Sequence, residues 1–242
     1  MLAAFVRGKL AAASPDAPMT PDTAKPKRKV FLVDDHPLVR EWLTNLINQQ
    51  PDLAVCGETE SARRALQAIA AAQPEAAIVD LSLKDSSGIE LIKSLKLSHP
   101  DVAVLVLSMH DESLYAERAL RAGAKGYIMK RETTRKVIEG IRQILDGKVF
   151  VSDSVKEALA LRLVENKTQT LRTPVEQLSD RELEVFEMLG QGLGTRQIAD
   201  ALRVSIKTVQ AYCARAKEKL NVGSATELLR EAIRWNESKH SR

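Results

Sequence analysis

The sequence predicts an α/β domain with a doubly wound, five-stranded parallel sheet, followed by a smaller all-α domain that contains a helix-turn-helix. Two observations predict this division. Between residues 30 and 146, five short apolar runs alternate with five amphipathic stretches, a pattern typical of a parallel sheet covered by helices on both faces. From Ser179 onward the hydrophobic spacing is helical throughout. We therefore expect two domains in this chain of 242 residues.

The elements of the first domain follow from these runs in order. The predicted strands are VFLV, LAVCG, AAIVD, VAVLVLS and GYIM. The helices are predicted over 37–49, 61–72, 88–98, 112–122 and 133–146. Each strand is followed by one helix, which is the connection that parallel neighbours require.

The second domain has clear helix boundaries. Ser179 and Glu182 form a capping box at the start of one helix, and Ser224 and Glu227 form another at the start of the last one. The segments TRQIADAL and SIKTVQAYCARAKEKL lie between them, with a turn around Val204. The predicted organisation is a disordered, proline-containing leader at 1–28, a first domain at 29–148, a linker with a short helix at 149–174 that is flexible over 166–174, and a second domain at 175–238.

Charge and composition limit the classes of function. Residues 30–150 carry fifteen Lys/Arg and seventeen Asp/Glu, whereas residues 190–242 carry ten Lys/Arg and five Asp/Glu. A basic tail favours nucleic-acid binding, although ordinary surface charge would also produce it. No apolar run approaches the ~20 residues of a membrane helix, and the two cysteines match no metal or redox spacing. The sequence therefore predicts a cytoplasmic protein with no membrane partner.

Five polar residues follow the predicted strands, at the edge where a doubly wound sheet binds ligands. They are Asp34 and Asp35 after the first strand, Asp80 after the third, Ser108 at the end of the fourth and Lys130 after the fifth. Clustered carboxylates repel one another unless a cation joins them, and hard oxygen ligands suit Mg²⁺. Any one residue could be a solvated turn residue or a helix cap. Together they indicate a phosphoryl-transfer site with Mg²⁺.

Four motifs of this region resemble the receiver domain of bacterial two-component response regulators over about residues 29–148. They are VDDHP, VDLSLKDSSGIELI, VLSMHDE and GAKGYIMK. The resemblance implies a flavodoxin-like fold in which a histidine kinase phosphorylates Asp80. It implies that Asp35, Asp80 and the backbone carbonyl of Ser82 hold Mg²⁺ directly, and that Asp34 acts mainly through water.

The same resemblance implies roles for residues on the other side of the phosphoryl group. Ser108 would donate a hydrogen bond to a phosphoryl oxygen and Lys130 would pair with it. Tyr127 matches the aromatic switch position of the family, although a tyrosine in GYIM could equally be a half-buried packing residue. His36 is interpreted as a packing or capping residue rather than as a metal ligand.

The basic helix predicted over 206–220 has an inward face formed by Val209, Cys213, Ala216 and Leu220. The sequence around it resembles the LuxR-type DNA-binding domain over about residues 175–237, so the whole chain resembles a NarL/FixJ-type response regulator. The resemblance implies that this helix enters the major groove. The candidate DNA-contacting residues are Lys207, Thr208, Gln210, Ala211, Ala214, Arg215 and Lys217.

The resemblance implies three partners: double-stranded DNA, a sensor histidine kinase and, after phosphorylation, a second copy of the chain in a homodimer. RNA polymerase is a further candidate. A hydrolase with an aspartyl-phosphate intermediate would need a second Asp where Ser82 stands, so a transcription regulator rather than an enzyme is predicted. A receiver-only adaptor would lack residues 175–237. A LuxR-type regulator controlled without phosphorylation remains as the alternative, which a phosphorylation assay distinguishes.

Overall fold

The computed structural model describes residues 26–83, 87–164 and 173–240. Within these ranges the chain forms a five-stranded parallel sheet with flanking helices and then a helical domain, so the predicted fold class is confirmed. The leader predicted at 1–28 falls almost wholly outside the described residues, and so does most of the linker segment 166–174.

The first domain alternates strands and helices as the apolar runs predict. Its elements are β1 Arg28–Val33, α1 Pro37–Asn48, β2 Leu53–Thr59, α2 Ala62–Ala72, β3 Ala76–Val79, α3 Gly88–Ser98, β4 Ala103–Ser108, α4 Glu112–Ala122, β5 Gly126–Met129 and α5 Thr134–Leu145. Three helices begin where a side-chain oxygen of the preceding residue accepts a backbone N–H: Ser61 before α2, Ser87 before α3 and Asp111 before α4.

The remaining elements are helical. They are α6 Asp153–Val164, a 3₁₀ helix at Pro174–Gln177, α7 Asp180–Gly190, α8 Thr195–Leu202, α9 Ile206–Leu220 and α10 Ala225–His240. The capping box of Ser179 and Glu182 is present at the start of α7. The turn between α8 and α9 uses Arg203 in a left-handed conformation, with φ of 51°. None of the helices in the described part of the chain has the length and apolar character needed to cross a bilayer.

The strand order, β2-β1-β3-β4-β5, brings the predicted polar residues together. The order reverses between β1 and β3, where Val33 pairs with Val79, one residue before Asp34 and Asp80 respectively. On the other side, Ser108 of β4 pairs with Met129, the residue before Lys130. Parallel strands end at the same edge of a sheet, so all of these side chains reach one crevice.

The sheet separates two apolar clusters because successive side chains of a strand point to opposite faces. Val30 and Leu32 of β1 belong to the cluster beneath α1 and α5, whereas Phe31 and Val33 belong to the cluster beneath α2, α3 and α4. This second cluster also includes Leu183 and Phe186 of α7. The described domains therefore share one apolar cluster on the α4 side of the sheet.

Gly88, the first residue of α3, has no room for a side chain. An added Cβ would overlap the Asp80 carbonyl oxygen and lie 2.6 Å from the Leu81 Cα. We expect Gly88→Ala to lower the free energy of unfolding by about 1–3 kcal/mol, because the backbone after β3 must move. Urea unfolding followed by circular dichroism measures this change.

Gly223→Ala is the matched control for that experiment. Gly223 is exposed, and a Cβ there would meet only the Glu227 carboxylate within 4 Å, at 3.6 Å. This variant should change the free energy of unfolding by less than about 0.5 kcal/mol. Equal unfolding midpoints for the Gly88 and Gly223 variants would contradict the close approach of α3 to Asp80.

Candidate functional site

The crevice at the carboxyl edge of the sheet holds three buried carboxylates. Asp34, Asp35 and Asp80 are only 3%, 6% and 2% exposed. The backbone N–H of Asp80 donates to the Val33 carbonyl at 2.8 Å, which keeps the turn after β3 against the end of β1. The structure thus brings together the three carboxylates that the sequence places after two different strands.

Lys130 supplies the positive charge of this crevice. Its Nζ lies 2.7 Å from Asp80 Oδ2 and 2.7 Å from Asp34 Oδ2. Burial disfavours its charged form, but the carboxylates of Asp80 and Asp34 outweigh this cost and raise the pKa of the ammonium. Burial raises the pKa of the Asp80 carboxyl, and the charge of Lys130 offsets only part of that effect.

His36, the residue before α1, and Arg40 of α1 contact the residues of this carboxylate cluster. His36 Nδ1 lies 2.8 Å from Asp35 Oδ1 and 3.2 Å from Asp34 Oδ1, and its backbone N–H donates to Asp34 Oδ1 at 2.9 Å. His36 is the N-cap residue of α1 but makes no side-chain cap. Arg40 donates from its guanidinium to the Asp34 backbone carbonyl at 2.7 Å. The side chain of His36 therefore belongs to the acidic cluster, which its interpretation as a packing or capping residue missed.

The donor set of this cluster fits a hard divalent cation. One ligand atom from each of Asp34, Asp35, His36 and Asp80 lies within 4.8 Å of all the others. Three of these groups are carboxylates, the ligands that Mg²⁺ prefers, and Lys130 neutralises only one negative charge. Ser82, whose backbone carbonyl is the further candidate ligand, lies next to this cluster. Its backbone N–H donates to Asp80 Oδ1 at 3.3 Å.

The loop after β4 forms the opposite wall of the crevice. Ser108 is fully buried, and its Oγ accepts the backbone N–H of His110 at 3.3 Å. Tyr127 is 1% exposed and its hydroxyl donates to the His110 carbonyl at 2.8 Å. Burial raises the pKa of the Tyr127 phenol well above its usual value, so this hydroxyl remains a donor. Tyr127 is thus a buried residue that is attached to the loop of Ser108.

The helix-turn-helix has the faces that the sequence predicts. Val209 and Ala216 of α9 are buried, whereas Lys207 and Gln210 are exposed. Ala211, Ala214 and Arg215 are also exposed, and Thr208 and Lys217 are half-buried. The Thr208 hydroxyl lies 2.8 Å from that of Ser205, the N-cap residue, so Thr208 takes part in the start of the helix.

A buried carboxylate of α7 orients the basic side chains of α9. Glu182 is 3% exposed, and its carboxylate lies 2.6 Å from Lys219 Nζ and 3.3 Å from Arg215 Nε. Arg215 also lies over the ring of Tyr212, 5.0 Å from its centre. Arg215 and Lys219 are therefore held by intramolecular ion pairs that the sequence did not reveal.

The two domains contact each other through α4 and α7. The Tyr115 hydroxyl donates to Glu187 Oε2 at 2.7 Å in a buried contact. Arg118 donates to the backbone carbonyls of Leu178 and Glu176, at 2.7 and 3.1 Å. It also donates to Asp180 Oδ1 at 3.1 Å, and Lys93 of α3 donates to the other Asp180 oxygen at 3.3 Å. One face of the receiver-like domain thus holds the start and the middle of α7.

The sequence leads us to expect a contact between the receiver and the DNA-binding domain but does not identify the residues that form it. Glu187 lies 72 positions from Tyr115, and a glutamate within an amphipathic helix is usually a solvated residue. The motif VLSMHDE offers one signal of this interface, because it contains His110, a polar residue that the phosphoryl-transfer interpretation does not use. Contacts between residues so distant in the chain leave no trace in hydrophobic spacing.

Comparison with protein families identifies both domains. A model described as "Response regulator receiver domain" matches residues 30–142. A second model, described as "Bacterial regulatory proteins, luxR family", matches residues 176–232. The two matches cover the sheet domain, including the residues of the acidic crevice, and the helical domain with α8 and α9.

Two relatives match this chain over almost their whole length. Oxygen regulatory protein NreC of Staphylococcus carnosus is 33% identical over 210 residues, which cover 85% of this chain and 97% of NreC. Transcriptional regulatory protein DegU of Brevibacillus brevis is 29% identical over 221 residues, which cover 86% of this chain and 94% of DegU.

A solved structure extends the likeness to three dimensions. RcsB from Salmonella enterica serovar Typhimurium, bound to the promoter rprA in the presence of the phosphomimetic BeF3⁻, matches with a TM-score of 0.58 and 25% sequence identity. The match covers 85% of this chain and 98% of that one. The chain therefore belongs to the NarL/FixJ-type response regulators, two-component transcription regulators that join a receiver domain to a LuxR-type DNA-binding domain.

Proposed function

We propose that Asp80 is the phosphoacceptor of this response regulator and receives its phosphoryl group from a histidine kinase. The observation that carries this proposal is the position of Asp80 at the end of β3, the only strand preceding one of the three carboxylates that pairs with β4, which ends in Ser108. Asp80 Oδ2 also lies 2.7 Å from Lys130 Nζ, as Asp34 Oδ2 does.

Each residue of the crevice has a separate role in the proposed phosphoryl transfer. A carboxylate oxygen of Asp80 forms the new bond to phosphorus, while the bond from phosphorus to the kinase histidine nitrogen breaks and leaves its electron pair on that nitrogen. Lys130 pairs with the transferred group, and the Ser108 hydroxyl donates to one of its oxygens. Mg²⁺, held by Asp35, Asp80 and the Ser82 carbonyl with Asp34 acting mainly through water, would neutralise phosphoryl charge.

The contact between the domains supports a proposal for how DNA binding is regulated. We assign the receiver to residues 29–148 and the DNA-binding domain to 175–238, joined by a linker at 149–174 and preceded by a leader at 1–28. The contact of α4 with α7 is the inhibitory arrangement in this proposal. Phosphorylation of Asp80 weakens it and permits a homodimer to form, because the phosphoryl charge favours a state in which Ser108 and Lys130 contact it.

DNA binding is assigned to α9, with contacts divided by chemistry. Lys207, Arg215 and Lys217 carry charge without base preference and would contact phosphates. Gln210 has an amide that can pair with an adenine edge, while Ala211 and Ala214 allow close approach to thymine methyl groups. Thr208, at the start of α9, is the remaining candidate for a DNA contact. The homodimer would bind two half-sites in the cytoplasm, where RNA polymerase is the expected further partner.

The phosphoacceptor can be tested with a small-molecule phosphodonor. Wild-type protein should gain one phosphoryl group in the presence of Mg²⁺, as measured by intact mass. Asp80→Asn should abolish the gain, because the nucleophilic oxygen is lost. Asp101→Asn, an exposed carboxylate away from the crevice, is the control and should be phosphorylated like the wild type. Equal phosphorylation of Asp80→Asn and wild type would refute the assignment.

The metal site can be tested by unfolding experiments, without phosphorylation. Mg²⁺ at ten times its Kd should stabilise the wild-type protein by about 1.4 kcal/mol, because it binds only the folded state. Asp35→Asn should lose most of this increment but be at least as stable as wild type without Mg²⁺, since one repelling charge is removed. Asp101→Asn should retain the full Mg²⁺ effect. An unchanged Mg²⁺ effect in Asp35→Asn would contradict the proposed ligand set.

The placement of α9 can be tested with a randomised DNA library. Gln210→Ala should relax preference at one base position by about 1–3 kcal/mol, because a bidentate base contact is lost. Lys207→Ala should weaken binding to all sequences and reduce the slope of log affinity against log salt by about 1. Reversed or identical effects of the two substitutions would show that the helix is placed wrongly.

A further inference from the structure

We propose that His110 is a positioning residue that couples the phosphoacceptor loop to the DNA-binding domain, because its ring contacts one residue in each. This inference rests on the proposed role of Asp80 and names the side chains through which its state reaches α7. It concerns a residue of the loop after β4 to which neither the motifs nor the metal site assign a role.

The two ring nitrogens of His110 contact residues of different domains, Ser82 of the receiver and Glu187 of α7. His110 Nε2 is 2.8 Å from the Ser82 hydroxyl, and its Nδ1 is 3.3 Å from Glu187 Oε2. The Ser82 backbone N–H in turn donates to Asp80 Oδ1. A continuous series of polar contacts therefore runs from the phosphoacceptor carboxylate to the middle of α7.

The chemistry of the three groups makes the two contacts depend on each other. A glutamate carboxylate only accepts hydrogen bonds, so Nδ1 must carry a hydrogen when it bonds to Glu187. In the neutral ring Nε2 then accepts from the Ser82 hydroxyl, and in the protonated ring it donates to it. Both bonds are made by one planar ring, so a rotation that breaks one of them also displaces the other.

The ring is held in this orientation by one stacking contact and by two hydrogen bonds of its backbone. Its plane stacks on Tyr115 with the ring centres 4.4 Å apart, and the Tyr115 hydroxyl donates to the same Glu187 oxygen at 2.7 Å. The His110 backbone is bonded to Ser108 through its N–H and to Tyr127 through its carbonyl. A movement of Ser108 toward a phosphoryl group therefore shifts the backbone that carries the ring.

A coupling of this kind acts in both directions. If phosphorylation of Asp80 weakens the hold of His110 on Glu187, release of Glu187 must favour phosphorylation to the same extent, since linkage is reciprocal for equilibria. The DNA-binding domain is then part of the environment of the phosphoacceptor, through a residue that does not itself contact Asp80 in this arrangement.

The test is a set of substitutions in the full chain, with two readouts. Glu187→Ala removes the acceptor on α7, and Ser82→Ala removes the hydroxyl but keeps the backbone carbonyl. The two substitutions are made singly and combined, both in the wild-type protein and in a His110→Phe background. His110→Phe keeps a ring against Tyr115 but removes both nitrogens. Glu139→Ala, an exposed glutamate of α5, is the matched control. Tyr115→Phe, which removes one hydroxyl, loosens α7 with less risk to folding.

The first readout is the equilibrium affinity of the Asp80 site for the phosphomimetic BeF3⁻ in the presence of Mg²⁺, measured by titration. Glu187→Ala and Tyr115→Phe should raise this affinity, by roughly fivefold for Glu187→Ala, while Glu139→Ala leaves it unchanged. In the His110→Phe background, Glu187→Ala should have no further effect. The proposal would be overturned if Glu187→Ala had the same effect with His110 as with Phe at that position. It would also be overturned if neither Glu187→Ala nor Tyr115→Phe had any effect.

The second readout is hydrogen exchange of α7 amides without any phosphodonor. Ser82→Ala should increase exchange in α7 severalfold when His110 is present and not when it is Phe, although Ser82 lies in the other domain. Unchanged exchange in Ser82→Ala would overturn the coupling. This readout does not depend on phosphorylation. If the wild-type protein is not phosphorylated on Asp80 but Ser82→Ala changes exchange in α7 as expected, the proposed phosphoacceptor is wrong and the coupling of the two domains still holds.

Discussion

The contact of the Lys130 ammonium with the carboxylates of Asp80 and Asp34 is the interaction on which the arrangement of the receiver depends. Three carboxylates at most 6% exposed lie in one crevice, and a single ammonium cannot neutralise them. Burying like charges in a medium of low polarity is expensive, so such a cluster is not maintained for stability. The raised pKa of Asp80 is a sign of this cost. The fold therefore supports a site whose charge repulsion a divalent cation would relieve, which agrees with the proposed role of Asp80 as phosphoacceptor.

The strand order explains why this cost can be met. The charged groups lie at the ends of three strands, Asp34 and Asp35 after β1, Asp80 after β3 and Lys130 after β5. The backbone pairing of β1 with β3, of β3 with β4 and of β4 with β5 fixes the distances between them. Hydrogen bonds of the main chain, such as Asp80 N–H to the Val33 carbonyl, hold the carboxylates together against their repulsion. The same rigidity gives the loop after β4 a defined position, so that its serine and histidine face the crevice and α7 respectively.

Most of the fold and the charged site could be predicted from the sequence, because both depend on local patterns. The bounds of α3 and α4 agree with the predicted ones to the residue, since apolar spacing and capping residues mark both ends. β1 begins two residues before the predicted run VFLV. Arg28 pairs with Leu53 of β2, and its guanidinium bonds Glu75 and Asp146, contacts that no apolar run reveals. Glu182 and Glu187 illustrate the same limit. Both are buried acids of α7, and their partners lie on other elements.

The exposure of α9 restricts how the contact between the domains can control DNA binding. Gln210, Ala211 and Ala214 remain exposed while α4 holds α7, so the contact does not act by burying the residues suited to reading bases. What it fixes is the position of the helix-turn-helix relative to the receiver. A single helix with two outward alanines offers few base contacts, and selectivity then depends on a second copy at the correct spacing. In the proposed regulation, holding α7 against one receiver restricts that spacing, so control would act on the geometry of a pair of domains rather than on access to one of them.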